Sequence, residues 1–257
     1  MTDYGFTSDC LTGTYAVAMA GEGGCAPYAA IGLLEFDSGS TVRGSLTESR
    51  PGPSFGERTI SEQRYSGRYS VNANGLGALY AEGAEDIDGY LALREITVQQ
   101  DGPRAQEIAL IFRAVDPASG SLRTGVGWRR PDSVVLSNSC LQGRYTGFAI
   151  GRGGQVPMAG FGVLRYDGNG GFTEENLANV QGETIRTRQF VQGADQGNYR
   201  VKPDGTGTLA GGGVLFVITR VSMADGEARA EAYSLLVREP VPTNGAFFTG
   251  TVRRISD

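Results

Sequence analysis

An all-β fold, two tandem antiparallel up-and-down eight-stranded barrels related by internal duplication, is predicted by three features of this 257-residue chain. One stretch is written twice, CLTGTYAVAMAGEGG from Cys10 and CLQGRYTGFAIGRGG from Cys140, 130 residues downstream. Forty glycines are spread along the chain, and no window holds apolar spacing of three and four for three turns, which argues against helices. Each copy reads instead as extended runs separated by Gly, Asp, Asn, Ser and Pro. Closing such a succession into a barrel removes its exposed edges.

Residues 1–9 read as a tail, 10–130 as the first barrel, 131–139 as a linker and 140–257 as the second barrel. In the first copy, strands are expected near Leu11–Ala20, Ala29–Asp37 and Thr41–Glu48. Glu57–Asn72 follows as one strand bent at Gly67. Gly77–Glu82, Tyr90–Gln99, Gln106–Ala114 and Leu122–Arg129 complete the eight. The second copy repeats Gly67-x-Tyr69-x-Val71 as Gly197-x-Tyr199-x-Val201, and Phe36-Asp37 as Tyr166-Asp167. After Leu209 the offset falls to 125, so that Arg104-Ala105 matches Arg229-Ala230 and Thr124-Gly125 matches Thr249-Gly250. The loss of residues falls between Leu209 and Arg229. Ile108, Leu110 and Phe112 alternate with Ala109, Ile111 and Val115, so this strand and its counterpart Ser234–Val237 are expected to be buried on both faces. With the short linker, that predicts that the two repeats pack on each other.

A net charge of −5 argues against nucleic-acid binding and against anionic membrane surfaces. No apolar run reaches the length of a spanning helix, and MTDYGFTSD lacks the basic and apolar regions of a signal peptide, so no membrane insertion and a cytoplasmic location are expected. Cys10, Cys25 and Cys140 are most simply buried thiols in a reducing compartment. The chain has no histidine and a single lysine, Lys202, in the turn VKPDG. Histidine bases, histidine metal sites and Ser-His-Asp or Cys-His nucleophiles are thereby excluded. The chemistry left to it belongs to Tyr, Asp, Glu, Arg, Ser and Thr.

Asp167-Gly168-Asn169-Gly170-Gly171 alternates acid and amide as a calcium loop begins, but the following residues lack the remaining ligands, and a hairpin turn is the favoured reading. Gly21-Glu22-Gly23-Gly24 and Gly151-Arg152-Gly153-Gly154 lead toward Pro27 and Pro157 and a strand rather than a helix, so no phosphate cradle is expected. No cofactor and no metal are expected.

Gly13-Thr14-Tyr15 and Gly143-Arg144-Tyr145 resemble the Gly-x-aromatic opening of the first strand in the calycin barrels, the lipocalins and avidins. Each copy also ends in an arginine pair, Arg129-Arg130 and Arg253-Arg254. The resemblance implies that a last-strand arginine packs over the first-strand aromatic and closes the barrel base, with Tyr standing where those families usually carry Trp. In barrel size, strand count and composition each copy is also similar to the allene oxide cyclase-like barrels. That likeness implies cofactor-free cyclase chemistry, including the [4+2] cyclisations of bacterial polyketide pathways.

Among the residues themselves, arginines in apolar strands need a partner, solvent or a ligand. Arg94, Arg113, Arg220 and Arg238 are of this kind, and pairing with Glu95, Glu107 or Glu239 is the favoured account. The functional alternative places them in a cavity on a carboxylate or enolate oxygen. Tyrosines suit a barrel interior, and Tyr28, Tyr65 and Tyr80 are replaced by Met158, Asp195 and Ala210 in the second copy. On this basis Tyr90, Arg94, Glu95, Glu107 and Arg113 are candidate catalytic residues. Tyr28, Tyr65, Tyr80, Trp128, Arg220, Tyr233 and Arg238 are candidate substrate-binding residues. The expected function is a cofactor-independent cyclase or isomerase, of Diels–Alder [4+2] type, for a small hydrophobic natural-product intermediate. The competing class is a non-enzymatic lipocalin-like carrier.

Overall fold

The computed structural model describes residues 5–22, 28–53, 57–100, 102–112, 122–152, 158–182, 184, 187–238 and 247–255. It contains two closed antiparallel eight-stranded barrels. The chain divides into two compact units, each centred on one barrel. The first barrel comprises β1 (Gly13–Glu22), β2 (Tyr28–Phe36), β3 (Thr41–Pro51), β4 (Arg58–Val71), β5 (Leu76–Ala81), β6 (Gly89–Gln99), β7 (Gly102–Phe112) and β8 (Leu122–Arg129). The second comprises β9 (Gln142–Arg152), β10 (Met158–Asp167), β11 (Gly171–Gln181), β12 (Arg188–Val201), β13 (Thr206–Leu209), β14 (Val214–Ala224), β15 (Glu227–Val237) and β16 (Phe247–Arg254). In each, the last strand pairs with the first, β8 on β1 and β16 on β9. The bent strand read at Glu57–Asn72 is the single strand β4. Among the described residues no helix is long and apolar enough to cross a membrane.

The repeated motifs build the base of each barrel. Tyr15 and Tyr145 are fully buried. Tyr15 donates its hydroxyl to the Ala105 carbonyl, and Tyr145 donates to the Ala230 carbonyl, both at 2.7 Å. Those carbonyls lie where alternation slips. Leu93 and Ile96 both pack on the core, as do Ala105 and Ile108, and Glu95 between them has φ 48°. The second barrel has register shifts at the matching place around Arg220. In both barrels the tyrosine hydroxyl gives a carbonyl at this place a donor from across the barrel.

Phe36 meets Tyr15 edge-on at 5.5 Å and Tyr69 at 5.1 Å; Tyr166 meets Tyr145 at 5.3 Å and Tyr199 at 5.0 Å in the same way. Tyr69 donates to the carbonyls of Asp37 and Ser8, and Tyr199 to those of Asn138 and Leu141. These bonds tie down the 3₁₀ turns Ser8–Leu11 and Asn138–Cys140, which seat buried Leu11 and Leu141. Cys10 and Cys140 are buried on the same turns; Cys25 lies outside the described residues.

In register, Tyr15 stands opposite Arg129 and Tyr145 opposite Arg254, as the barrel-closing resemblance implies. The guanidinium of Arg129 lies against Gly13, where a Cβ would come within 2.9 Å of its Nε; Arg254 lies similarly against Gly143. Both glycines have positive φ, 127° and 104°, a conformation that a side chain disfavours.

Asp167 accepts the backbone N–H groups of Asn169, Gly170 and Gly171 on one carboxylate oxygen at 2.7–3.0 Å, which makes the Asp-Gly-Asn-Gly-Gly stretch a hairpin turn. Those bonds hold its carboxyl below the usual range. The lost residues fall in one connection. Leu79 pairs with Gly89 in the first barrel and Leu209 with Val214 in the second, so the stretch 80–88 has shrunk to 210–213. One expectation is corrected for the first copy. Ile108 and Leu110 are buried, but Ile111 on the other face of β7 is 51% exposed, so this strand is buried on one face only. In the second copy Tyr233 and Leu236, on opposite faces of β15, are both buried.

Replacing Tyr15 or Tyr145 by Phe leaves a buried carbonyl without its donor and is expected to cost about 1–3 kcal/mol in each case, read from urea unfolding. Equal losses at the two positions are expected from their equal geometry. Burial, with the nearby carboxylates of Asp37 and Asp167 adding to it, pushes the phenols of Tyr69 and Tyr199 up to about 12. The folded state therefore favours the neutral phenols. The stability they contribute is complete below the ordinary value of 10.0 and is lost as pH rises from there through about 12. Phenolate absorbance is expected to show these two groups silent at pH 11 until the protein unfolds.

Candidate functional site: a buried polar cluster in the first barrel

Three strands of the first barrel bring one polar set together. Gly21 on β1 pairs with Tyr28 on β2 and, on its other side, with Arg123 on β8. A Cβ at Gly21 would stand 3.0 Å from the Tyr28 Cβ and 3.4 Å from the Arg123 Cγ. The missing side chain lets Arg123 lie across to its neighbour, with the guanidinium carbon 4.2 Å from the centre of the Tyr28 ring. The Tyr28 hydroxyl donates to Glu48 Oε1 on β3 at 2.8 Å.

All three side chains are buried, Tyr28 to 2% exposure, Glu48 to 6% and Arg123 to 9%. Arg123 shares a face of β8 with Gly125 and Gly127, whose Cβ positions would meet Met19, Val17 and Ile108 of the core, so it faces the interior. Among the described residues the buried Arg123 Nε has no hydrogen-bond partner. A guanidinium taken out of water costs several kcal/mol unless it is paired. Stacking on the ring engages its face and does not provide an acceptor for the Nε–H in the guanidinium plane.

The second barrel keeps the frame and drops the chemistry. Its corresponding rung is Phe248–Gly151–Met158, with the glycine retained. Glu48 corresponds to Ala178. The cluster is therefore not a requirement of the fold.

Of the residues singled out from the sequence, Tyr28 lies in this cluster. Tyr65 packs inside the same barrel, its ring edge-on to Phe112 at 6.4 Å and its hydroxyl 3.4 Å from Asp88, and burial pushes its phenol up. Other candidates lie on the outside. Tyr90 is 57% exposed, and Glu95 is exposed at the slip in β6. Arg94 pairs with Glu107 across β6 and β7 at 3.0 Å. That is the ion-pair account rather than the catalytic one. Trp128 stands half-buried opposite Glu107 in register, and Tyr80 lies half-buried with Arg68 over its ring at 5.8 Å.

Arg220 and Arg238 are exposed on the second barrel. Tyr233 is wholly buried there, its hydroxyl 2.5 Å from that of Tyr166, and packs in the aromatic core. Arg113 and Glu239 lie outside the described residues. Within the first barrel, Arg94 is thus not gathered with Tyr28. Glu48 and Arg123 went unrecognised in the sequence, although comparing the copies flags them, since Ala178 and Phe248 replace them.

The interior of the second barrel has other polar groups. Glu174 and Asn176 share the face of β11 that carries buried Phe172, and Asp195, at the position of Tyr65, is exposed nearby. Burial pushes the Glu174 carboxyl up, the Asp195 carboxylate adds to this, and the Asn176 hydrogen bond opposes it. A raised acid favours folding while protonated and costs stability once it ionises. Glu174→Gln is therefore expected to raise the thermal midpoint at pH 7. The gain should shrink as pH falls through the carboxyl's range, which differential scanning calorimetry at several pH values can follow.

Compared with known families and curated proteins, the chain matches no family model and no curated sequence.

Proposed function

We propose that the first barrel binds a small, largely apolar molecule at the end of its interior that carries Tyr28, Glu48 and Arg123. There it acts as a cofactor-independent cyclase or isomerase on a hydrophobic natural-product intermediate. The observation that carries this reading is the polar cluster itself: three buried groups in contact within an apolar barrel, each replaced at the matching position of a copy that folds without them.

The cluster has the parts that such a reaction needs. Glu48, with the Tyr28 hydroxyl bonded to it, can take up and return a proton. Arg123 supplies fixed positive charge where an oxygen gains negative charge, and does so in a site removed from water. Strands hold all three groups, so a flexible chain folded against them would be held in one reactive conformer. For a ring closure of [4+2] type that ordering is the main contribution a protein can make.

Incubation with linear polyene carbonyl compounds, followed by chromatography and mass analysis, tests the proposal. The expected product has the mass of its precursor, and Glu48→Gln and Tyr28→Phe each lower kcat/KM at least about tenfold. A molecule bound tightly and released unchanged would make the barrel a carrier and sink the enzymatic reading. Failure to take up any apolar molecule would sink both.

A further inference from the structure

Resting on the reading of the first barrel as a ligand site, we propose that its ligand is an apolar anion whose carboxylate or enolate oxygen docks on the in-plane N–H donors of Arg123. Four observations converge on that class. Arg123 is more than nine-tenths buried and faces the interior, and its Nε has no hydrogen-bond partner among the described residues. Its contact with Tyr28 is through the ring face, which attracts the cation without accepting any of its N–H groups in the guanidinium plane. The hydrogen bond that Glu48 accepts at Oε1 comes from the Tyr28 hydroxyl and not from the arginine. The second barrel has Phe at the matching position 248 and Met at 158, so neither the charge nor the hydroxyl is needed to close the rung.

Each class of ligand has a different consequence for this geometry. A neutral apolar molecule would cover the guanidinium and leave its donors unmet, which carries the full desolvation cost. A cationic one would add like charge. An oxyanion meets the donors in their plane and forms charge-assisted bonds, roughly twice as strong as neutral ones. The apolar residues Met19, Leu46 and Leu110 of the surrounding core suit the rest of such a ligand.

The test uses the full chain and three ten-carbon probes that differ only at the head: decanoate, decanol and decyltrimethylammonium, each titrated calorimetrically. Decanoate is expected to bind at least about tenfold tighter than decanol, with the ammonium weakest. Arg123→Met should abolish the preference, bringing decanoate and decanol to the same affinity, whereas Arg123→Lys should keep the preference in part. Circular dichroism checks that each variant is folded, and Tyr28→Phe, which keeps the arginine, should still prefer decanoate. Equal binding of decanoate and decanol, or a preference that survives Arg123→Met, would overturn the assignment while leaving the barrel a ligand site. Binding of none of the three would overturn the site and the assignment together.

Discussion

The bond from the first-strand tyrosine to a main-chain carbonyl across the barrel is the constraint on which each barrel depends. A closed sheet of eight strands must fill its base with side chains, and a tyrosine ring there brings a hydroxyl that cannot be left alone. Tyr15 and Tyr145 answer this by donating to carbonyls at 2.7 Å, across sequence separations of 90 and 85 residues. The carbonyls are positioned by the slip in alternation near Glu95 and Arg220. Ring packing, the 3₁₀ turn over the base and the glycine under the last-strand arginine follow in both copies. Scaffold is what the duplication has preserved.

The divergence between copies is as informative. A rung of three adjacent strands holds a central glycine in both barrels, but its flanking residues are Arg123 and Tyr28 in one and Phe248 and Met158 in the other. Apolar residues suffice to complete that rung. Burying a cation there raises a cost that the fold has no need of, and such costs are kept where a site uses them. The loss of residues from 80–88 to 210–213 acts in the same direction. The longer connection of the first barrel carries Asp88, which meets the Tyr65 hydroxyl, while the second has the exposed Asp195 at the matching position.

The architecture was legible in the sequence because it rests on periodic signals. The repeat, the glycine-broken runs and the bend at Gly67 lead to the two barrels and to the single strand β4. The site was legible only in part. Tyr28 stood out as an unmatched tyrosine, but Arg123 was hidden in a run, Leu122 to Arg129, whose Trp128 draws attention and yet lies on the outer face. Which face a residue takes depends on the local register. In β6 Arg94 lies outside beside Glu107, in step with inward Leu91 and Leu93, and the slip at Glu95 turns that residue outward as well, so that Ile96 resumes the core face. One-residue changes of this kind reverse a side chain's face without altering composition or spacing.

Duplication also explains how one chain can hold such a cluster. A single small barrel balances the desolvation of Tyr28, Glu48 and Arg123 against its own core, where margins are a few kcal/mol. The aromatic base lies at the opposite end of the strands: Tyr15 sits near the start of β1, while Gly21 sits near its end. The fold's strongest repeated contacts are thus separated from its costliest groups along the same strands. Substitution at the polar end can then proceed without removing the hydroxyl bond that closes the base, as the second copy, with its apolar rung and intact Tyr145 bond, illustrates.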